Sequence, residues 1–147
     1  RGIIMSIRFG ESIRRDVKYK LRPGAYAILP LGGRLLLTHQ AEPEDEYQLP
    51  GGGIDAGESP IAALHREVFE ETGWHIATPR KIGFYRRFCY MPDYDMWAEK
   101  ICHIYLARPV ARISAPTEAG HTALWMDKDA AEVLVSNEGD RAFIASL

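Results

Sequence analysis

Apolar residues recur along this chain with two different periods, and the changes of period mark out its strands and helices. Residues 24–29 (G-A-Y-A-I-L) and 34–38 (R-L-L-L-T) are strand-like. The turn residues of Pro30–Gly33 between them predict a hairpin. Residues 41–46 (A-E-P-E-D-E) are polar and predict an exposed loop, after which Tyr47–Leu49 runs into Pro50 and three consecutive glycines. The clearest helix spans about Pro60–Thr72. Ser59 suits its N-cap, Pro60 its first position and Gly73 its C′ position. Ile61, Leu64 and Val68 recur at helical spacing as the expected buried stripe. Strands are expected at 80–90 and 99–107 around the turn-rich M-P-D-Y-D, with another near 123–126. From Asp129 onward Ala, Val and Leu alternate with polar residues as in a closing helix. This order implies a single α/β (α+β) sandwich with a mixed β-sheet over residues 1–147.

Composition narrows the partners more than the fold. A hydrophobic content of 46 % supports a real core, and no repeat or linker splits the chain. A formal net charge of −2 provides no broad basic surface, which argues against bulk nucleic acid and anionic membranes. A small nucleotide stays compatible if a metal ion supplies the positive charge. Cys89 and Cys102 are the only thiols and lack C-x-x-C spacing, which points to a reducing compartment and away from a disulfide framework or a zinc site. No apolar run approaches the roughly eighteen residues of a membrane span. The opening R-G-I-I-M-S-I-R is too short and too charged for a signal peptide, so the cytoplasm is the expected location. Met5 is read as the native start and residues 1–4 as an upstream extension.

The chemistry concentrates in R-E-V-F-E-E-T-G, residues 66–73, where Glu67, Glu70 and Glu71 crowd one arc of the predicted helix. Like charges three and four residues apart repel one another on a helix. Such a run is usually a solvated face, and Arg66, four residues before Glu70, is placed to relieve part of the repulsion. Glutamates at i, i+3 and i+4 can also converge on a hard cation such as Mg²⁺, which takes oxygen ligands and binds substrate phosphates. The glycines at 51–53 allow close backbone approach, and a carbonyl freed there adds an oxygen ligand.

Gly52, five residues, Glu58, seven residues, then Arg66-Glu67-Val68-Phe69-Glu70-Glu71-Thr72-Gly73-Trp74 resembles the complete Nudix box, G-x5-E-x7-R-E-U-x-E-E-x-G-U with U a bulky aliphatic. Trp74 at the last position is the one departure and bears on packing after the helix. The resemblance implies a Nudix-type α/β/α sandwich and hydrolysis of a nucleoside diphosphate linked to another moiety, using Mg²⁺ or Mn²⁺. It implies Glu70 and Glu71 as principal metal ligands, Glu67 as a further ligand or the base for the attacking water, and the Gly51 carbonyl as an additional ligand. Arg66 is implied to orient the glutamates, with Gly52, Glu58 and Gly73 supporting the loop–helix geometry. Several members use a late acidic residue, for which Glu118, ahead of Trp125, is the first candidate and Glu99 the second. His121 and His103 are available as substrate contacts, although a lone His is more often structural.

The box leaves the substrate open. A Pro about sixteen residues past it marks ADP-ribose hydrolases in this family, and a Tyr in that region marks dinucleoside polyphosphate hydrolases. Tyr90 lies sixteen residues after Trp74 and Pro92 eighteen, so neither subgroup is selected. Phe84, Tyr85, Phe88, Tyr90, Tyr94 and Trp97 offer either base stacking or core packing, and Arg86 and Arg87 are candidate phosphate contacts. The expected activity is therefore a pyrophosphohydrolase on ADP-ribose-like or dinucleoside polyphosphate substrates. The alternatives are a MutT-like hydrolase of oxidised nucleoside triphosphates and a non-catalytic nucleotide-binding module, whose expected mark, a substituted box glutamate, is missing. The chain is expected to be a monomer or a homodimer, with residues before Gly24 available as an extra strand for pairing.

Overall fold

A computed structural model describes residues 7–147; the expectation about Met5 and residues 1–4 lies outside them. Nine strands and three helices follow one another as β1 (Ile7–Gly10), β2 (Tyr19–Ile28), β3 (Pro30–Leu31), β4 (Arg34–Gln40), β5 (Glu46–Gln48), β6 (Gly51–Gly53), α1 (Pro60–Thr72), β7 (Trp74–Met91), β8 (Met96–Arg112), β9 (His121–Asp127), α2 (Lys128–Leu134) and α3 (Glu138–Ala145). One mixed sheet runs β1-β7-β8-β2-β6, with β1 parallel to β7 and β2 parallel to β8. A smaller antiparallel sheet forms around β4, with β3 and β5 along one edge and β9 along the other. Helix α1 covers one face of this pair of sheets and α2 with α3 cover the other, as the sandwich reading expects. No helix among the described residues is long and apolar enough to cross a membrane.

Local chemistry accounts for the elements and for where the sequence reading needs correction. The hairpin turn is tighter than Pro30–Gly33: Leu31 pairs with Arg34, and only Gly32 (φ 60°) and Gly33 (φ 80°) form the loop. Two successive positive-φ residues make the turn whose twist matches paired strands. Strands β7 and β8 run well past 80–90 and 99–107. Three register shifts, one around Thr78 at φ 50°, let β7 absorb the Thr-Pro stretch that reads as a break. The M-P-D-Y-D segment contains a single 3₁₀ turn at Pro92–Tyr94. Two helices, α2 and α3, replace the single closing helix expected from Asp129. Residues before Gly24 do form strands, but β1 joins β7 of its own chain. The outer side of β1 stays unpaired among the described residues.

Strand β4 reads R-L-L-L-T because both of its faces are covered. Leu36 packs with Leu64 and Val68 of α1, while Leu35 and Leu37 pack with Ala131, Val135 and Ile144 on the opposite side. In α1 the Ser59 hydroxyl accepts from Ala62 N at 3.1 Å, and Gly73 closes the helix at φ 77°. The buried side of α1 runs through Ala63, Leu64, Val68, Glu71 and Thr72. Ile61 does not belong to it: it lies in the first turn, clear of the core, and stays 39 % exposed. Tyr85 and Phe88 are core residues, Tyr90 and Tyr94 are exposed, and Cys89 and Cys102 are buried free thiols.

One acid is built into this core. Asp140 of α3 accepts from the Tyr85 hydroxyl at 2.8 Å and from Leu49 N at 3.5 Å while only 4 % exposed. Gly139 lets α3 settle here, since an added Cβ would enter the Tyr85 ring. Burial lifts the Asp140 carboxyl from 3.8 to about 6. A folded-state value above the unfolded one means that the native state holds the proton more tightly, so this contribution is full below pH ~4 and is lost as pH rises to about 6. The loss is on the order of 3 kcal/mol. Asp140→Asn retains an acceptor for Tyr85 without the buried charge. In urea unfolding its stability relative to wild type should rise between pH 4 and pH 6 and stay level above, and a difference independent of pH would refute this account.

Candidate metal and phosphate site

The box residues form one hydrogen-bonded unit around Arg66. Its guanidinium grips Glu58 with two bonds, Nε to Oε2 at 2.8 Å and Nη2 to Oε1 at 2.9 Å. From the same group Nη1 reaches Glu67 Oε2 at 2.9 Å and Glu70 Oε1 at 3.4 Å, and Nη2 donates to the Gly53 carbonyl at 3.1 Å. Glu58 also accepts from Asp55 N at 3.0 Å, which ties the loop before α1 to the middle of the helix. The Arg66 bonds hold the Glu58 carboxyl down at about 2. Planar fork geometry suits Arg66 to this task in a way that a lysine cannot reproduce.

The glycines work by leaving space. A Cβ on Gly52 would lie 2.5 Å from the Glu67 carboxylate carbon, so Glu67 packs directly on the strand backbone. Gly51, at φ 149°, donates its N–H to Glu71 Oε1 at 3.1 Å. Glu71 is buried at 6 % exposure, where an acidic helix run is usually a solvated face, because α1 presses its last turns onto β6. Burial raises the carboxyls of both Glu71 and Glu67, Glu71 strongly, and the neighbouring carboxylates push the same way.

The C-terminal end of α1 recruits the late loop. Carbonyls in the last turn of a helix lack partners within it, and here the loop supplies them. Thr117 N and Glu118 N donate to the Glu70 carbonyl at 2.8 and 2.9 Å, and Ile113 N donates to the Gly73 carbonyl at 2.8 Å. Any Cβ at Gly73 would collide with the Ser114 carbonyl, so the terminating glycine is also what admits the loop. Trp74, the departure from the box, packs edge-on against Trp125 with centroids 5.4 Å apart.

Two triads of potential ligand atoms result, each with its atoms within 4.8 Å of one another: Glu67 with Glu70 and Glu118, and Glu71 with Glu118 and His121. Glu118 belongs to both. His121 Nε2 lies 3.7 Å from Glu71 and its Nδ1 3.8 Å from Glu118. Sequence reading favours a structural role for His121, and nothing in its spacing from the box signals its position. Glu99 is not drawn in; it pairs with Arg86 at 3.1 Å, on a different part of the large sheet. His103 packs beside Phe84, and Tyr90 bonds to Asp95 at the β7–β8 tip. Arg87 stands half-buried on the sheet face opposite Arg86. Four carboxylates and an imidazole against one guanidinium suit a hard divalent cation; of the Gly51 backbone, the amide serves Glu71.

This is the fold of the Nudix family, and comparisons agree. The NUDIX domain model matches residues 19–147, and the chain belongs to that family. An RNA pyrophosphohydrolase of Helicobacter pylori (strain ATCC 700392 / 26695) is 41 % identical over 59 residues, covering 37 % of this chain and 38 % of that protein. A Bacillus subtilis (strain 168) protein whose name proposes an 8-oxo-dGTP diphosphatase is 39 % identical over 64 residues, 44 % of this chain and 43 % of its own. The chain thus spans less than half the length of these curated relatives. Among solved structures, a NUDIX hydrolase from Nitrosomonas europaea superimposes with a TM-score of 0.69 at 20 % identity, over 86 % of this chain and 87 % of that one. The MutT protein from Bacillus halodurans gives 0.70 at 21 % identity, over 84 % and 80 %. At these identities the superpositions establish the fold.

Gly52→Ala tests the packing of Glu67 directly. The added methyl should displace the carboxylate and weaken Mn²⁺ binding about tenfold or more in calorimetry, while the metal-free protein keeps its melting temperature within a few degrees. Unchanged Mn²⁺ affinity would remove Glu67 from the metal site.

Proposed function

We propose that this chain is a pyrophosphohydrolase dependent on Mg²⁺, or Mn²⁺ in its place, that cleaves a nucleoside diphosphate linked to another moiety. The observation that carries this reading is the pair of ligand triads sharing Glu118, assembled on an Arg66-braced helix. Glu70, Glu71 and Glu118 are the residues to hold the cation, with Glu67 and the Gly51 carbonyl completing the oxygen set. When bound, the divalent ion polarises phosphoryl oxygens and lowers the pKa of bound water.

The protein's own groups do the positioning. Arg66 keeps Glu67 and Glu70 in register, and the Gly51 amide orients Glu71. Glu67 and Glu118 are the two carboxylates placed to take the proton from the attacking water. Their variants differ in what they lose: the base loses kcat at saturating metal, whereas a ligand loses metal affinity. His121 steadies Glu118 and Glu71, which otherwise face each other as like charges.

The substrate reading covers dinucleoside polyphosphates and ADP-ribose. The relatives named RNA pyrophosphohydrolase add 5′-phosphorylated RNA ends to the compounds to be tried. A second reading, hydrolysis of oxidised nucleoside triphosphates to the monophosphate and pyrophosphate, is favoured by the Bacillus subtilis relative. Product analysis separates them for small nucleotides: ADP-ribose and dinucleoside polyphosphates give two phosphorylated fragments, whereas an oxidised nucleoside triphosphate gives the monophosphate and pyrophosphate.

Purified protein with Mg²⁺ should release phosphorylated products from one of these compounds, and Glu70→Gln should lower kcat/KM at least a hundredfold with the fold intact. Glu71→Gln should be as inactive and yet melt higher than wild type without metal, since it removes a buried charge while keeping an acceptor for Gly51. Near-full activity in either variant would sink the assignment.

A further inference from the structure

Beyond the glutamates, the large sheet carries a cluster of cations that form no ion pair among the described residues. Register places Arg22 of β2 beside Lys100 of β8, and Lys100 beside Arg87 of β7. Residues directly opposite on neighbouring strands point to the same face, so the three form one row across three strands, spanning about 10 Å. All three are half-buried, and none forms an ion pair among the described residues. Arg86 and Glu99, on the other face, do pair. Like charges placed opposite one another destabilise a sheet, so packing alone does not explain the row.

Its position relative to the metal-binding residues gives it a use. The next cross-strand row is Gly24 beside Cys102, and Gly24 pairs with Gly53 at the outer edge of the sheet. An added Cβ on Gly53 would touch nothing within 4 Å, so that edge is open. Gly53 itself is bonded to Arg66 through its carbonyl. One strand over and two residues along, Arg22 lies about 8 Å from Gly53 by backbone spacing, within reach of an arginine side chain. The outer end of the row is flat and aromatic, with the Arg22 guanidinium 5.1 Å from the Tyr94 ring centroid. Asp140 also lies near this face; it accepts from Tyr85 and Leu49, and the charges of Arg87 and Lys100 act on it without an ion pair at contact distance.

We propose that Arg22, Lys100 and Arg87 grip phosphate groups lying beyond the cleaved anhydride, so that the site selects substrates with three or more phosphates over two-phosphate conjugates such as ADP-ribose. This rests on the pyrophosphohydrolase reading above for its substrate class, while the grip itself can be measured without turnover. A two-phosphate conjugate has both phosphates engaged at the metal site and leaves the row unneutralised. A longer phosphate chain crosses the side-chain-free edge at Gly53 and pairs with the cations.

Calorimetry with inorganic tripolyphosphate on EDTA-treated protein is the direct test. Wild type should bind it. Lys100→Gln and Arg87→Gln should each weaken binding at least threefold and together at least tenfold, with Arg87→Lys retaining most of it. Melting temperatures should stay within a few degrees of wild type, because each Gln variant trades like-charge repulsion for a weaker field at Asp140. The ratio of kcat/KM for diadenosine tetraphosphate over ADP-ribose should drop at least tenfold in the double variant. Failure of wild type to bind tripolyphosphate, or equal binding by the double variant, overturns the grip. Failure of wild type to hydrolyse any compound overturns the reaction and leaves the binding result standing.

Discussion

Repulsion among Glu67, Glu70, Glu71 and Glu118 is the constraint around which this molecule is arranged. Two unit charges about 5 Å apart at a partly solvated surface repel by roughly 3 kcal/mol, so four carboxylates cannot be gathered by sequence proximity alone. The Arg66 guanidinium holds two of them and clamps the Glu58 loop at the same time. The Gly51 amide holds a third, and the carbonyl end of α1 holds the backbone of the fourth. Each restraint comes from a different element, and each exploits a backbone group or a rigid fork rather than a flexible cation. Burial first, and then the repulsion that remains, raise the carboxyls of Glu67 and Glu71, and a divalent cation would relieve that repulsion.

The same restraints explain the fold's small oddities. A strand of three glycines is a poor strand on propensity, yet β6 pairs with β2 at Gly24, Ala25 and Tyr26 because side chains there would displace Glu67 and Tyr26. Gly73 ends α1 and in the same place admits the Ser114 carbonyl and the loop that carries Glu118. Helix termination and site assembly are thus one event.

What could be read from sequence follows from range. Ser59, Pro60 and Gly73 act on backbone groups within a few residues, so α1 was legible to its ends. The box spacing made Arg66, Glu67, Glu70 and Glu71 legible because they share that helix. The bulges of β7, the pairing of β1 with β7 and the approach of His121 to Glu71 depend on contacts formed only after folding. Ile61 shows the same limit from the other side: its spacing fits the buried stripe, but Ala63 is the residue of the first turn that faces the core, and Ile61 stays 39 % exposed. Arg22, Lys100 and Arg87 are thirteen or more residues apart and become a row only through strand register.

A cluster of acids and a row of bases on one small domain would ordinarily neutralise each other. Here they do not, because the edge strand between them carries no side chain long enough to bridge the gap. Glu67 is packed against Gly52 on the α1 side of the sheet, and the cations stand on the opposite side, beyond Gly53 and Gly24. Both sets are gathered at a cost in stability, as functional groups commonly are where local rules are broken. Separation by one bare strand leaves the two charge fields adjacent yet unsatisfied, and a ligand satisfies both if it brings cations to one side and phosphates to the other. A metal-bound polyphosphate has that composition, which makes the position of the glycine strand as much a determinant of the chemistry as the glutamates themselves.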